Sequence, residues 1–414
     1  MFSVNFPFSI GVLCKQWIYS FNGLERNMTH QYSGRRALIK KLVALGLAAS
    51  PLSKVALAAE SVRSSQFKTG VVLDPLFLKH DMPDHPEGAD RLRAIDHELE
   101  KQGLWDQLIP VQSRFATENE LLWAHEQSYI DEIRAMSNNA GDSVDYYDPY
   151  AGDTYINAHS FNAARMAAGS HINMNLAVYD REIDHGFSLL RPPGHHALKD
   201  KAMGFCIFNS DIIAAKALQT YRGVKKVAII DLDVHHGNGT QDLSDADENI
   251  MSISIHQHPF WPMTGGADFT GKGLAKGTVV NLPFNAGAGD RTYLEAYDQI
   301  IHPKLVAFQP EHIIVFAGYD AHWLDPLAEH RLSVHGFNQL TQKCLASAQE
   351  LCAGRISFTL GGGYNLEPLA KCTAGTLHTL LGNPEQNDNP LGPPSLGEED
   401  FSEQIVQLKK HHLG

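Results

Sequence analysis

Apolar residues occur in short runs that alternate with longer stretches of helical spacing. Six runs rich in β-branched residues predict strands: TGVVLD, HGFSLLRPP, VKKVAIIDLD, IMSISIH, EHIIVFAGYD and RISFTLGGG. Between several of them, helices are predicted by SFNAARMAAGSHINMNLAVYDR, NSDIIAAKALQTYR and RTYLEAYDQIIHPKLVAF. Because the strands are almost continuously apolar, the pattern favours an α/β fold, an open parallel sheet with helices on both faces.

Four of the predicted strands end in polar or glycine-rich clusters. These clusters are Arg191–His196, Asp231–His235, Gly318–Asp320 and Gly361–Tyr364. In open α/β sheets, ligands bind outside the carboxyl ends of the strands. We therefore expect the four clusters to meet in one crevice.

One cluster has the ligand types of a zinc site. Asp233 and His235 are two positions apart on an extended chain, so both side chains point to one face. A carboxylate and an imidazole form half of a zinc site, and Asp320, at the end of another strand, is the candidate third ligand. Asp231 is expected on the opposite side of the strand, either orienting a neighbouring histidine or capping the following helix. His236 is expected to face away from His235.

The other clusters contain candidate groups for acid–base chemistry. His195 and His196 follow two prolines and a glycine, and an imidazole pair suits proton transfer near neutral pH. Tyr364 follows three glycines, and its phenol can donate a hydrogen bond to a developing oxyanion. Structural histidines and a half-buried tyrosine in a glycine turn are the alternative interpretations.

Aromatic residues in two loops can wall a narrow apolar slot. Gly204 and Phe205 lie in GFCIFN, and Phe260 and Trp261 lie in HPFWP. Packing in the core is the alternative for either group, since aromatic side chains dominate protein cores.

The composition fits a soluble enzyme and disfavours nucleic acid as a direct partner. The chain has 414 residues, of which 43% are hydrophobic and 20% charged, with a formal net charge of −13. An acidic surface repels nucleic acid and suits basic partners.

The N-terminal sixty residues differ from the rest of the chain. Arg35 and Arg36 precede a short apolar run, residues 42–49, and an Ala-Leu-Ala sequence at 56–58. This is the pattern of an export signal of twin-arginine type. We therefore predict an extension over residues 1–58, with the signal at 28–58, and an exported protein, periplasmic or secreted. A cytoplasmic protein with an amphipathic N-terminal helix is the alternative, and no membrane span is expected.

The motifs together resemble those of the zinc-dependent histone deacetylase family, which includes the acetylpolyamine amidohydrolases. The resemblance covers about residues 70–380 and rests on RPPGHHA, GFCIFN, DLDVHHGNGTQ, SIHQHPFWP, GYDAHWLDPLA and GGGYN. It implies an arginase-like fold in a single catalytic domain, assigned to residues 59–382. A C-terminal extended segment and short helix are assigned to residues 383–414.

The resemblance also implies roles for individual residues. One zinc ion per chain would be held by Asp233, His235 and Asp320. His196 would be the general base and acid with His195 as its electrostatic partner, and Tyr364 would polarise the acetyl carbonyl. A structural potassium ion would be bound by Asp231, Asp233, His235, Ser254 and Ile255. The substrate would be bound by Asp153, Gly204, Phe205, Trp261 and Leu327. An acetate channel would be lined by Arg91.

The implied activity is hydrolysis of N-acetyl-lysine amides to a free amine and acetate. The substrates would be acetylated proteins with basic tails, including histone-like or host proteins, and the enzyme would be a dimer or tetramer. An acetylpolyamine amidohydrolase is the first alternative. An arginase-like enzyme would need a D-x-H-x-D run for two manganese ions, and position 237 is glycine. A non-catalytic acyl-lysine-binding module is the remaining alternative.

Overall fold

The computed structural model describes residues 66–141, 145–146, 154–386 and 388–414. The predicted export signal at 28–58 and the predicted substrate residue Asp153 lie outside these residues. Residues 145–146 are described by their backbone alone.

Eight parallel strands form the main sheet. In chain order the strands are β1 Thr69–Val72, β2 Ile109–Pro110, β3 Asp145–Tyr146, β4 Tyr155–Ile156, β5 His185–Ser188, β6 Val227–Asp231, β7 Ile250–Gln257, β8 Val279–Phe284, β9 His312–Ala317 and β10 Ile356–Leu360. The order across the sheet is β2-β1-β5-β10-β9-β6-β7-β8, and every neighbouring pair is parallel. Strands β3 and β4 form a separate antiparallel pair.

Helices cover the sheet. The α-helices are Asp90–Lys101, Glu118–Leu121, Gln127–Ala140, Ser160–Tyr179, Ser210–Arg222, Asn238–Ser244, Asp290–Ala296, His302–Phe308, Val334–Cys352, Leu366–Leu380 and Ser402–Leu413. Short 3-10 helices lie at Pro75–Leu78 and Gly273–Ala275.

Two hydrophobic cores show that both faces of the sheet are buried. Along β6, Ala228 and Ile230 belong to one core, whereas Val227 and Ile229 belong to the other. Successive residues of a strand point to opposite faces, so each core lies on its own side of the sheet. The prediction of a parallel sheet flanked by helices is confirmed.

The six apolar runs all form strands, and the structure adds elements that the pattern did not predict. The stretch from 291 to 308, expected as one helix, contains a π-helical turn at Tyr297–Ile301 between two α-helices. Pro303 lies in the first turn after it, and a proline has no amide hydrogen to continue the regular helical ladder.

Candidate active site

The four polar clusters lie beyond the carboxyl ends of four adjacent strands in the middle of the sheet. These strands are β5, β10, β9 and β6. Since neighbouring parallel strands end at one edge, the loops that follow them meet there. The crevice predicted from the sequence is therefore formed by the centre of the sheet.

Asp233, His235 and Asp320 offer ligand atoms that all lie within 4.8 Å of one another. The His235 Nδ1 atom is 3.1 Å from Asp233 Oδ1 and 3.1 Å from Asp320 Oδ2. Ligands at zinc-ligand bond lengths in a tetrahedron stand about 3.3 Å apart, so the spacing suits a zinc ion. Within the described residues, this is the one group of three or more such side chains with metal-site geometry.

Backbone amides fix the two carboxylates. Asp320 Oδ1 accepts a hydrogen bond from the Val234 amide at 2.9 Å, and Asp233 Oδ2 accepts one from the Gly362 amide at 2.8 Å. A Cβ atom at Gly362 would overlap both carboxylates. Each aspartate thus keeps one oxygen for a metal, and glycine at 362 lets the backbone approach them closely.

The pKa shifts of these groups show that the site attracts positive charge. Burial, reinforced by Asp233, raises the pKa of Asp320 to about 7. Burial lowers the pKa of His235, but its hydrogen bonds to Asp233 and Asp320 outweigh this and raise it to about 10. Two buried carboxylates that compete for positive charge fit a divalent ion, with zinc favoured by the mixed oxygen and nitrogen ligands.

Asp231 lies on the same side as Asp233, which corrects the prediction. Its Oδ2 atom accepts a hydrogen bond from His195 Nδ1 at 2.9 Å, while His195 Nε2 lies 3.9 Å from Asp233 Oδ1. Positions 231 and 233 differ by two, so an extended chain directs both side chains to one face. Of the two roles proposed for Asp231, orienting a histidine is the one this contact supports.

His196 is held by a residue whose role was not predicted. Its Nδ1 atom lies 2.7 Å from Asn238 Oδ1. An amide oxygen only accepts, so the proton is on Nδ1 and Nε2 has a free lone pair. The sequence contained a signal for this contact, because Asn238 belongs to the same HHGNGT motif that supplies His235.

The two histidine rings lie 3.8 Å apart and titrate in opposite directions. Burial lowers the pKa of His195, but Asp231 and Asp233 together raise it above its usual value. Burial and the neighbouring His195 and His235 hold the pKa of His196 well below its usual value. His195 is therefore the more basic ring of the pair, and His196 the one that favours its neutral form.

Aromatic rings line the approach to these groups. The Trp261 ring lies 4.6 Å from that of His196 and 5.8 Å from that of His235. The Phe205 ring lies 5.6 Å from that of Tyr364. A Cβ atom at Gly204 would overlap Trp261 and His196, so this glycine allows the walls to close together.

Phe260, the other aromatic residue of HPFWP, packs on His235, one of the three candidate metal ligands. Its ring stacks on that of His235 at 5.4 Å with an interplanar angle of 25°. The two aromatic residues were expected either to wall a slot or to pack in the core. Phe260 packs and supports His235, whereas Trp261 faces the histidine pair. His236 bonds to Thr264 and Gln241, away from the three ligands, as expected.

Asp325 connects Tyr364 with Leu327. Its Oδ2 atom accepts from the Tyr364 amide at 2.6 Å, and its Oδ1 atom accepts from the Leu327 amide at 3.0 Å. The turn that contains Leu327 is therefore held directly beside Tyr364. Burial raises the pKa of both the Asp325 carboxyl and the Tyr364 phenol.

Arg91 lies behind Tyr364. The guanidinium donates to the carbonyls of Gly363 and Gly361 at 2.8 and 2.5 Å, and its carbon is 5.2 Å from the centre of the Tyr364 ring. Glu87 binds both this arginine and Arg191, in a fully buried ion-pair cluster. Sequence reasoning missed Glu87, although its four-residue spacing from Arg91 was a weak signal.

Three of the predicted potassium ligands are neighbours on two strands. Asp231 on β6 is paired with Ser254 on β7, and Ile255 follows. The Ser254 hydroxyl also lies 2.9 Å from His256 Nδ1. The potassium site itself stays a prediction.

Comparisons with known proteins identify the family. A model of the histone deacetylase domain matches residues 85–380. Histone deacetylase 15 of Arabidopsis thaliana is 36% identical over 338 residues, which are 79% of this chain and 59% of that protein. The chloroplastic histone deacetylase 14 of the same plant is 37% identical over 327 residues, 76% of this chain and 77% of that protein. The crystal structure of the HDA15 HD domain has a TM-score of 0.75 at 34% identity and covers 84% of this chain and 95% of that one.

This chain belongs to the histone deacetylase family, and the resemblance drawn from its motifs is confirmed. It spans 59% and 54% of the length of two curated relatives, histone deacetylases 15 and 5 of Arabidopsis thaliana. None of the helices in the described part of the chain is long and apolar enough to cross a membrane.

Proposed function

We propose that this protein is a zinc-dependent deacetylase that hydrolyses N-acetyl-lysine amides in peptides or proteins. The observation that carries the proposal is the approach of Asp233, His235 and Asp320 to within 4.8 Å beside the histidine pair. A single zinc ion on these three ligands would act as a Lewis acid on the amide carbonyl and lower the pKa of bound water.

The protein's own residues would manage the protons. His196 is neutral and has a free Nε2, so it can take a proton from the attacking water and later return it to the leaving amine. His195, whose pKa is raised by Asp231 and Asp233, would favour negative charge developing nearby whenever it holds its second proton. Tyr364 would donate its phenolic hydrogen to the carbonyl oxygen as that oxygen becomes negative.

The structure favours one metal ion over the two of an arginase-like enzyme. A Cβ atom at Gly237 would overlap the Asp231 carboxylate and lie 3.4 Å from His195 Nδ1. An aspartate at 237, which the binuclear motif would require, therefore has no room. Substrate hydrolysis needs no second ion in the proposed scheme.

The apolar lining of the slot favours acetyl-lysine over other amides as the substrate. Phe205 and Trp261 give it apolar walls, which suit the methylene chain of a lysine whose amine is uncharged after acetylation. An acetylpolyamine shares the acetylated aliphatic chain but carries further positive charges beyond it. We therefore keep acetylpolyamine hydrolysis as the second candidate function.

Acetate release from an acetyl-lysine peptide and from N-acetylputrescine tests the proposal. We expect higher kcat/KM for the peptide with the purified, zinc-loaded protein. Turnover of N-acetylputrescine alone would support the second candidate. Turnover of neither compound, with zinc bound, would contradict deacetylase activity.

A further inference from the structure

Phe205, one wall of the proposed slot, lies in a tight two-residue turn. The Met203 amide donates to the Cys206 carbonyl at 3.1 Å, and the Cys206 amide donates to the Met203 carbonyl at 2.9 Å. Between them, Gly204 and Phe205 have φ angles of 54° and 68°. Two positive φ angles are typical of a type I′ turn, whose second central position is usually glycine. This turn therefore places a large aromatic residue where its backbone is strained.

The strained turn lies directly against the histidine pair. A positive φ is unfavourable for a bulky residue, because its Cβ atom crowds the backbone. Such strain persists only where surrounding contacts hold the residue in place. A Cβ atom at Gly204 would overlap the rings of His196 and Trp261, so the turn has no spare room on that side. A change in the conformation of Phe205 would therefore change the slot.

A hydrogen bond from another segment holds the backbone of Phe205. The Phe205 amide donates to Thr154 Oγ1 at 2.9 Å, although the two residues are 51 positions apart in the chain. Thr154 is buried and immediately precedes β4. In a buried place, a lost acceptor is costly because water does not readily replace it. The Thr154 hydroxyl is thus a specific support for the strained residue.

His85 holds the ring of Phe205. The two rings meet edge to face, with their centres 4.8 Å apart and an interplanar angle of 84°. The His85 ring meets that of Tyr155 in the same manner, at 4.8 Å and 68°. Edge-to-face contacts are favourable between aromatic rings. The backbone and the ring of Phe205 are therefore held by two different segments.

Tyr155 anchors both supports, because it follows Thr154 directly and contacts His85. Its phenol donates to the Glu87 carbonyl at 3.0 Å and accepts from the Arg191 guanidinium at 3.2 Å. Glu87 and Arg191 also form a fully buried ion pair. The buried ion-pair cluster behind the site is thus connected to the wall of the slot through Tyr155 and Thr154.

We infer that Thr154 is a positioning residue, which holds Phe205 in its left-handed conformation and so sets the shape of the slot for the acetylated side chain. The inference rests on the proposed deacetylase function. Thr154 acts through Phe205, which packs on the substrate chain. Loss of the Thr154 acceptor should therefore weaken substrate binding more than it slows the chemical step.

Hydrogen–deuterium exchange tests the hold on Phe205 without any need for turnover. Thr154→Val keeps the shape of the side chain but removes the acceptor, and it should speed amide exchange in residues 203–206 by about ten-fold. Mass spectrometry of the peptides measures the change. Thr154→Ser keeps the acceptor and should exchange at close to the wild-type rate. Equal acceleration in both variants, or none in Thr154→Val, would overturn the inference.

Thr278→Val is the matched control for both measurements. Thr278 is also buried, and its hydroxyl donates to the Ala275 carbonyl at 2.8 Å just before β8, at the edge of the sheet. The same substitution there removes one buried hydrogen bond far along the sheet from Phe205. It should leave both the exchange of residues 203–206 and the kinetic constants unchanged.

Steady-state kinetics tests whether Thr154 acts through Phe205. For an acetyl-lysine peptide, Thr154→Val should raise KM about ten-fold and change kcat by less than about two-fold, and Thr154→Ser should restore KM. Phe205→Gly removes both the wall and the strain, so adding Thr154→Val to it should have little further effect. Effects that multiply in the double variant would mean that Thr154 does not act through Phe205.

The outcomes separate this inference from the proposed function. Wild-type turnover with unchanged exchange and unchanged KM in Thr154→Val would overturn the positioning role while deacetylation stands. Faster exchange in Thr154→Val, with no turnover of any acetyl-lysine peptide by the wild-type protein, would contradict the proposed function. Thr154 would then remain the residue that holds Phe205.

Discussion

At the scale of single residues, each aspartate near the proposed metal differs in role because its contacts differ. Asp233 and Asp320 direct one oxygen to the centre and give the other to a backbone amide. Asp231 accepts a hydrogen bond from His195 through Oδ2. Sequence spacing was enough to select Asp233 and His235 as candidate ligands. It could not show that Asp231 and Asn238 each bind one ring of the histidine pair, because those contacts join separate loops.

Tyr364→Phe is expected to reduce kcat/KM for an acetyl-lysine peptide by about 100- to 1000-fold, because one donor to the developing oxyanion is lost. Steady-state kinetics measures the loss, and an unchanged melting temperature shows that the fold is retained. Tyr221→Phe is the matched control, since that phenol is 43% exposed and bonds to Glu120. Wild-type activity in Tyr364→Phe would remove this tyrosine from the mechanism.

At the scale of elements, the sequence predicted the central strands better than the edges of the sheet. The buried strands β6 and β9, VAIID and HIIVFA, have nearly continuous apolar runs. Strand β8 is VVNLPF, and its asparagine and proline interrupt the apolar pattern that would predict a strand. Proline is tolerated at an edge strand, and the helix Ser402–Leu413 covers this edge.

The C-terminal helix contacts β8 through side chains that satisfy its free carbonyls. Gln404 donates to the Pro283 carbonyl at 2.7 Å, and His412 donates to the Asn281 carbonyl at 2.9 Å. Phe401 packs against Phe284 with ring centres 5.7 Å apart. The helix therefore fills the position that a further strand would occupy.

Removal of residues 401–414 is expected to lower the melting temperature and cause concentration-dependent self-association, because the β8 edge becomes free to pair. Differential scanning fluorimetry and light scattering over a range of protein concentrations measure the two effects. Val406→Ser is the control, since Val406 lies on the exposed side of the helix at 61% exposure. A truncated protein as stable and as dispersed as the full chain would show that the edge needs no cover.

The short helix Glu118–Leu121 has a capping box that makes stability depend on pH. Burial raises the pKa of Glu120, but bonds to Arg114 and Thr117 outweigh it and lower the pKa to about 2 from 4.5. A pKa lowered by folding contributes stability above the unfolded value, and this is lost as pH falls from about 4.5 towards about 2.

Glu120→Gln is accordingly expected to cost about 2 kcal/mol of unfolding free energy near neutral pH, since Arg114 is partly exposed and solvent screens the pair. The difference from wild type should shrink as the pH is lowered below about 4.5. Urea unfolding at several pH values measures it. Glu118→Gln is the control: it removes an exposed partner of Arg134 and should change the free energy of unfolding by less than about 0.5 kcal/mol. If the stability difference between Glu120→Gln and wild type did not depend on pH, the proposed role of the Glu120 carboxylate would be wrong.

At the scale of the whole molecule, the site depends on the order of the strands. Strands β9 and β10 lie between β5 and β6, so residues from 191 to 364 in the chain meet at one edge. The alternation of strands and helices predicted the parallel sheet. It did not give this order, because the insertion of two late strands between two earlier ones leaves no mark on local periodicity.

Because the proposed zinc ligands come from the loops that follow two different strands, β6 and β9, metal binding should stabilise the entire domain. Chelation of the purified protein is expected to remove one zinc ion per chain, to lower the melting temperature and to abolish acetate release, with one equivalent of zinc restoring all three. Mass spectrometry of metals, calorimetry and activity measure them. Asp320→Asn should weaken zinc retention, whereas Asp268→Asn, at an exposed position outside the ligand set, should not. Two manganese ions per chain would instead indicate the binuclear chemistry. If chelation left the melting temperature unchanged, the loops after β6 and β9 would not be joined through a metal.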